Sequence, residues 1–229
     1  MALLLLDNYD SFTYNLLHQM HRVLQSEGTS FAVPGPDPIV VRRHDEVSVS
    51  DIEAEDYQAI IISPGPGSPN DAGVSGEVIA AFAGKRPIFG VCLGMQVIAA
   101  ILGQAEGWTI EQITPVHGHQ DTVYPVAPHQ DHPMWADIPF PFTTVRYHSL
   151  CVRPPASGRS NHQTPLAITA QNGDGVAMGL ALNTPVPCWG VQFHPESLQA
   201  TWGDQLMHNF LSAAALAQAR CEPKALQPT

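Results

Sequence analysis

Pro87-Ile88-Phe89-Gly90-Val91-Cys92-Leu93-Gly94-Met95-Gln96 is the stretch on which the fold turns. Its first five residues form an apolar run of strand length, and the residues that follow keep helical spacing until Gly103. Between the two lies Gly-x-Cys-x-Gly, with cysteine where a nucleophile elbow carries serine. Such a turn lifts a side chain above the end of a sheet, and the flanking glycines remove Cβ atoms that would clash there. A cysteine at a helix N-terminus also meets the positive end of the helix dipole, which favours thiolate over thiol. From the pentapeptide alone, a core cysteine between packing glycines reads as well.

Outward from this turn, short apolar runs alternate with amphipathic stretches, the mark of βα units. The pattern predicts strands over 3–6, 39–42, 59–62 and 87–91, and helices over 11–25, 74–82 and 93–102. From Thr122 onward it turns β-rich, with strands over 143–147, 165–170, 176–182 and 188–193 and a last helix over 203–219. The expected fold is α/β: a doubly wound, mostly parallel open sheet of flavodoxin-like type with flanking helices, plus a β-rich second half. One domain over 1–220 is expected, with 221–229 a tail or the start of a linker. Three prolines and two glycines make 26–38 a surface excursion.

Composition narrows the function. A chain of 229 residues with 44% hydrophobic content can bury one adequate core. Ten basic against 21 acidic residues give a net charge of −11, which repels nucleic acid and anionic lipid surfaces. The apolar run before Asp7 is too short for a signal peptide or a membrane span. Cys92, Cys151, Cys188 and Cys221 form no CxxC pair, which suits a reducing, cytoplasmic setting, and the last three read as core or incidental thiols. His117-Gly118-His119, with His129 and His132, lies among prolines and glycines without a ligand spacing, so no metal and no cofactor are expected.

Two further signals stand at strand ends. His194-Pro195-Glu196 follows the apolar run Trp189-Gly190-Val191-Gln192-Phe193. Proline holds the preceding residue extended, so His194 and Glu196 project to one side and the carboxylate can set the imidazole tautomer. The loop Ser63-Pro64-Gly65-Pro66-Gly67-Ser68-Pro69 follows the strand over 59–62 and can turn bare backbone N–H groups toward a developing oxyanion. It lacks the Lys-Ser/Thr ending of a phosphate loop. Singly, each reads more readily as a surface turn. Together with the elbow they fall where open α/β sheets place their sites.

Five blocks then make the chain similar to a known family, the class I (triad-type) glutamine amidotransferases, and within it to the glutaminase component of chorismate-using synthases. They are Asp7-Asn8-Tyr9-Asp10-Ser11-Phe12-Thr13-Tyr14-Asn15, the Ser63 to Pro69 loop, Gly90-Val91-Cys92-Leu93-Gly94, Arg146-Tyr147-His148-Ser149-Leu150, and Gly190-Val191-Gln192-Phe193-His194-Pro195-Glu196-Ser197. The resemblance implies that Cys92 attacks the side-chain amide of L-glutamine, that His194 moves protons and that Glu196 orients it. It implies an oxyanion hole from the backbone of Gly65 and Leu93, and glutamine recognition by Gly65, Pro66, Gly67, Gln96, Ser149 and Leu150. In the opening block, Asp10 or Ser11 can cap the first helix while the aromatics pack beneath the site. The chain departs from the family at Met95, where histidine is common, and at His119, where lysine is common.

The resemblance further implies a partner, a chorismate-using synthase subunit or fused domain. The loop, the Val145-Arg146-Tyr147-His148-Ser149-Leu150 phrase and Met178-Gly179-Leu180 look closest to the aminodeoxychorismate synthase (folate) branch, with the anthranilate synthase (tryptophan) branch as the alternative. Readings of other classes are a γ-glutamyl peptidase and a non-catalytic regulatory subunit.

Overall fold

Leu3, Leu4, Leu5 and Leu6 are all fully buried, because the strand they form, β1 (Leu3–Asp7), is covered on both faces. Successive side chains of a strand point to opposite faces, so Leu3 and Leu5 enter one apolar cluster and Leu4 and Leu6 another. The first cluster is closed by α1 (Thr13–Gln25) and α5 (Gly203–Cys221). The second is closed by α2 (Val49–Ala54), α3 (Ser75–Phe82) and α4 (Leu93–Leu102). In α1 the buried positions Leu16, Gln19, Met20 and Val23 recur at helical spacing, leaving Tyr14, Asn15 and His18 in solvent.

The computed structural model describes residues 2–26, 31, 38–156 and 166–221. The remaining strands are β2 (Ile39–Arg43), β3 (Ala59–Ile62), β4 (Ile88–Val91), β5 (Thr109–Pro125), β6 (Phe142–Arg153), β7 (Leu166–Asn172), β8 (Ala177–Leu182) and β9 (Cys188–Val191). They join β1 in one sheet, ordered β2-β1-β3-β4-β9-β8-β7-β5-β6. The first five pair in parallel, in the flavodoxin-like order with its reversal at β1/β3. From β9 outward every pairing is antiparallel. The β-rich second half is thus an extension of the same sheet, which is mixed as a whole and parallel where the strand ends carry the site.

Three expectations need correction. The β-rich part begins at Thr109, not Thr122, so that His117-Gly118-His119 lies within β5. Register shifts at Gln112/Val116 and His117/His119, and a positive φ at Gly118, break the alternation that would have announced a strand. Helix α2 has no counterpart in the sequence pattern above, although Ser48 and Asp51 form a capping box at its start. Neither Asp10 nor Ser11 is the N-cap of α1; that position is Phe12, with no side-chain cap. Asp10 Oδ2 instead accepts the Phe12 N–H at 2.7 Å, and Asp7 Oδ1 organises the turn by accepting from Tyr9 N, Asp10 N and Thr13 Oγ1. The readings for 26–38 and 221–229 fall almost wholly outside the described residues.

Candidate active site

β4 ends one residue before Cys92, which adopts φ +52°, ψ −101° at the N-cap of α4. A non-glycine residue in that region costs on the order of 1–3 kcal/mol, so its surroundings must hold it there. Its N–H donates to Val191 O at 2.8 Å, its carbonyl accepts the Gln96 N–H, and both glycines are obligatory. A Cβ on Gly90 would stand 2.5 Å from the carbonyl carbon of Gly94, and one on Gly94 would stand 2.5 Å from the carbonyl oxygen of Ile62. The cysteine thus sits over the sheet with the first turn of α4 behind it, where helix N–H groups lack intrahelical partners.

β9 delivers the base. His194 and Glu196 are both buried, and His194 Nδ1 donates to Glu196 Oε1 at 2.6 Å. A carboxylate can only accept, so Nδ1 carries a proton in either charge state and Nε2 is the nitrogen left to take up and give back another. Nε2 is buried without a regular hydrogen bond, with the sulfur of Cys92 as a close polar neighbour. Burial would lower the pKa of His194, but hydrogen bonding and charge interaction with Cys92 and Glu196 outweigh it and raise the value to about 10. The ring is held by Phe12 and Tyr147, with centroids at 5.5 and 5.2 Å, and its backbone N–H donates to Val145 O on β6 at 3.2 Å. Of the aromatics in the opening block only Phe12 meets the imidazole, flanking it rather than lying beneath it; Tyr9 packs against His44 and Tyr14 is exposed.

β1 and β3 end on the loop that faces this pair. Asn8 N donates to Ser63 Oγ at 2.9 Å, Asn8 Nδ2 to Ser63 O at 3.0 Å, and Ser75 Oγ to Asn8 Oδ1 at 2.9 Å. The loop is so close to α4 that a Cβ on Gly65 would lie 2.8 Å from Leu93 Cδ2 and 2.6 Å from Asn8 Cβ. Gly65 and Leu93 are therefore neighbours at the start of the helix, while Pro66 and Gly67 are exposed. Gly67, at φ +80°, is fixed by the Ser68/Asp71 box that follows.

Gln96, on the first turn of α4, is buried and donates from Nε2 to Leu150 O and to Gln192 Oε1, both at 3.2 Å. Ser149 and Leu150 are half-buried within β6, where the Leu150 carbonyl accepts from Gln96. Sequence reasoning missed Gln192, whose Nε2 lies 3.6 Å from Cys92 Sγ, and the buried Arg146, which joins Asp121 to His148. Both lie in blocks that carry the family resemblance, but nothing in their spacing announces contacts made across separate strands. Of the departures, Met95 points into the core against Gly190, and His119 is exposed on β5. Cys151 and Cys188 are buried free thiols, and burial pushes Cys188 up to about 12; Cys221 lies outside the residues whose side chains are described.

With this geometry in place, comparison with known proteins is specific. A family model described as class-I glutamine amidotransferase matches residues 4–214. Anthranilate synthase component 2 of Methanothermobacter thermautotrophicus is 39% identical over 92% of this chain and 98% of its own length. Aminodeoxychorismate/anthranilate synthase component 2 of Bacillus subtilis is 36% identical over 91% and 95%. Among solved structures, a Thermoplasma acidophilum protein assigned as a GMP synthase component superposes with a TM-score of 0.72 over 96% of this chain and 97% of its own, at 17% identity. That last likeness speaks to the fold alone.

Proposed function

This chain belongs to the class I glutamine amidotransferases, and from that premise we propose that Cys92, His194 and Glu196 hydrolyse L-glutamine and that the ammonia passes to a chorismate-using synthase. The observation that carries the reading is the 2.6 Å bond from His194 Nδ1 to Glu196 Oε1, which leaves Nε2 free beside the elbow cysteine.

The steps follow from the groups present. His194, whose raised pKa favours the protonated ring, holds the Cys92 proton on Nε2, and Sγ attacks the side-chain carbonyl carbon of glutamine. The oxygen takes up negative charge near the backbone N–H groups of Gly65 and Leu93, which are fixed before reaction begins. As the carbon–nitrogen bond breaks, His194 returns its proton to the departing nitrogen, releasing ammonia and leaving a γ-glutamyl thioester on Cys92. A water deprotonated by His194 then attacks the thioester; the carbon–sulfur bond breaks, the sulfur recovers a proton, and glutamate leaves. Glutamine plus water thus yields glutamate plus ammonia. Gln96 and the β6 backbone at Ser149 and Leu150 hold the substrate, with Gly65, Pro66 and Gly67 closing over it. No metal or cofactor enters these steps.

Ammonia in neutral water is mostly ammonium, which is no nucleophile, so delivery calls for a docked partner. A groove of about 420 Å³ beside Glu196, lined by Asn15, His18, Arg22 and the fully exposed Leu198, offers a surface for one. Both branch names occur among the relatives, and the chemistry of this chain ends at ammonia. We assign the aromatic product to the synthase.

Glutamate release by the native chain and by Cys92→Ser, each with an aminodeoxychorismate-type and an anthranilate-type synthase, tests the reading. Release that rises with a synthase and vanishes in Cys92→Ser supports it. Release indifferent to Cys92 sinks it, and the synthase that yields glutamine-dependent product names the branch.

A further inference from the structure

Besides His194, the sulfur of Cys92 has a second polar neighbour, Gln192 Nε2 at 3.6 Å, and Gln192 is fully buried. Which end of that amide faces the sulfur follows from donors and acceptors alone. Arginine only donates, so Arg146 Nε, at 2.9 Å, makes His148 Nε2 an acceptor and places the ring proton on Nδ1. That proton goes to Leu150 O at 2.8 Å. A carbonyl only accepts, so Gln96 must present its nitrogen to Leu150 O, and the same nitrogen donates to Gln192 Oε1. With its oxygen taken, Gln192 has its NH₂ left for the sulfur.

The far end of this chain of bonds is equally fixed. Asp121 Oδ2 accepts from Arg146 Nη1 at 2.6 Å and from Asn172 Nδ2 at 2.7 Å, so residues on β5, β6 and β7 aim an amide at the end of β9. Burial and the Arg146 charge bring the His148 pKa down to about 4, so its ring stays neutral, and its tautomer constant, across the neutral range.

We propose that Gln192 is a positioning residue for the nucleophile: its N–H, aimed by Gln96, holds Cys92 Sγ in the rotamer from which it attacks and supports the charge that gathers on sulfur as the proton passes to His194. This rests on the reading of Cys92 as nucleophile. Its effect is on the thiol, not on glutamine affinity, and it is felt before substrate arrives.

The test is the rate of Cys92 alkylation by iodoacetamide against pH, read on the Cys92 peptide by mass spectrometry. The proteins are the native chain, Gln192→Leu and Gln192→Glu, with thermal melting to establish folding. Loss of a charge-assisted hydrogen bond is on the order of tenfold. Gln192→Leu is expected to slow alkylation at pH 7 by about that factor, to move its pH midpoint upward, and to lower kcat alike while KM changes less than about threefold. Gln192→Glu should move the midpoint further, because a carboxylate repels the sulfur anion. An unchanged midpoint in a folded variant overturns the proposal; should Gln192→Leu not fold, the nearly isosteric Gln192→Glu decides it. Alkylation reads the thiol with or without turnover. Midpoints that move as expected in a chain that never hydrolyses glutamine would therefore overturn the glutaminase reading and leave the Gln192 contact standing.

Discussion

Gln19 Nε2 donates to the carbonyl oxygen of Pro195 at 2.8 Å, tying the buried face of α1 to the turn that carries His194 and Glu196. The same nitrogen reaches Asp204 Oδ1 at 3.1 Å, and Arg22 pairs with that carboxylate at 2.8 Å, so α1, α5 and the catalytic turn share one polar joint. The Arg22 to Asp204 pair is exposed and contributes little by itself. Gln19 is buried, and Gln19→Leu strands the Pro195 carbonyl, which costs about 1–3 kcal/mol. Urea unfolding should show that loss, and kcat should fall several-fold as the turn loosens. A variant as stable and as active as the native chain would show that the joint does not hold the turn.

The elbow makes a second prediction. Gly94→Ala places a methyl group against the Ile62 carbonyl, which belongs to β3 and cannot rotate aside. Forcing the contact shifts α4 and costs about 1–3 kcal/mol. Because Cys92 and Leu93 stand at the start of that helix, the shift is expected to lower kcat by at least about tenfold through misplacement of the reacting groups. Thermal melting and glutamine hydrolysis check the two halves separately. Unchanged activity would mean that α4 need not lie so close to β3.

Acid should weaken the fold through its neutral histidines. His132 Nδ1 accepts the Met134 N–H, and burial with the neighbouring His129 charge lowers its pKa to about 4; His148 behaves alike through burial and Arg146. Both values lie below the ordinary 6.5, so between pH 6.5 and about 4 the unfolded chain binds protons that the folded chain refuses, and stability falls as pH falls. His132→Asn keeps an acceptor for Met134 but cannot titrate. It should reduce the slope of unfolding free energy in that window by up to about 1.4 kcal/mol per pH unit. Urea unfolding from about pH 7 to about 4.5 measures it, and an unaltered slope would refute the assignment.

Legibility in the sequence tracked how local each cause is. The parallel strands and α4 were readable because apolar runs bounded by Gly and Pro are local signals, and the elbow adds a steric rule that spans only five residues. The partnership of His194 with Glu196 was readable for the same reason, since a proline between them fixes their directions. β5 was not readable from Thr109, because an edge ribbon with bulges exposes both faces and loses alternation. Nor was the path from Asp121 through Arg146, His148, the Leu150 carbonyl, Gln96 and Gln192 to Cys92, which depends on elements distant in the sequence meeting in register. Asp7 was missed as the organiser of the first turn because Asp10, nearer the helix, looked like the cap.

The alkaline side turns on Glu196. Burial acting alone would lower the His194 pKa, yet hydrogen bonds and charges at Cys92 and Glu196 raise it above the ordinary 6.5, toward about 10. A protonated His194 therefore adds stability that is fully present below about pH 6.5 and is lost as pH climbs toward 10. Glu196→Gln removes the carboxylate charge while leaving an oxygen that can accept the Nδ1 proton, so the ring keeps its place but holds its proton less firmly. Unfolding free energy between about pH 6.5 and about 9.5 should then fall less steeply than in the native chain. Turnover should drop by at least about tenfold, yet by less than the roughly 10⁴ seen when a triad base is held in the wrong tautomer. Urea unfolding across that range, together with kcat near neutral pH, gives both readings. A steep native slope that survives in Glu196→Gln would place the origin of the raised pKa in the sulfur alone, and the carboxylate would then serve only to orient the ring.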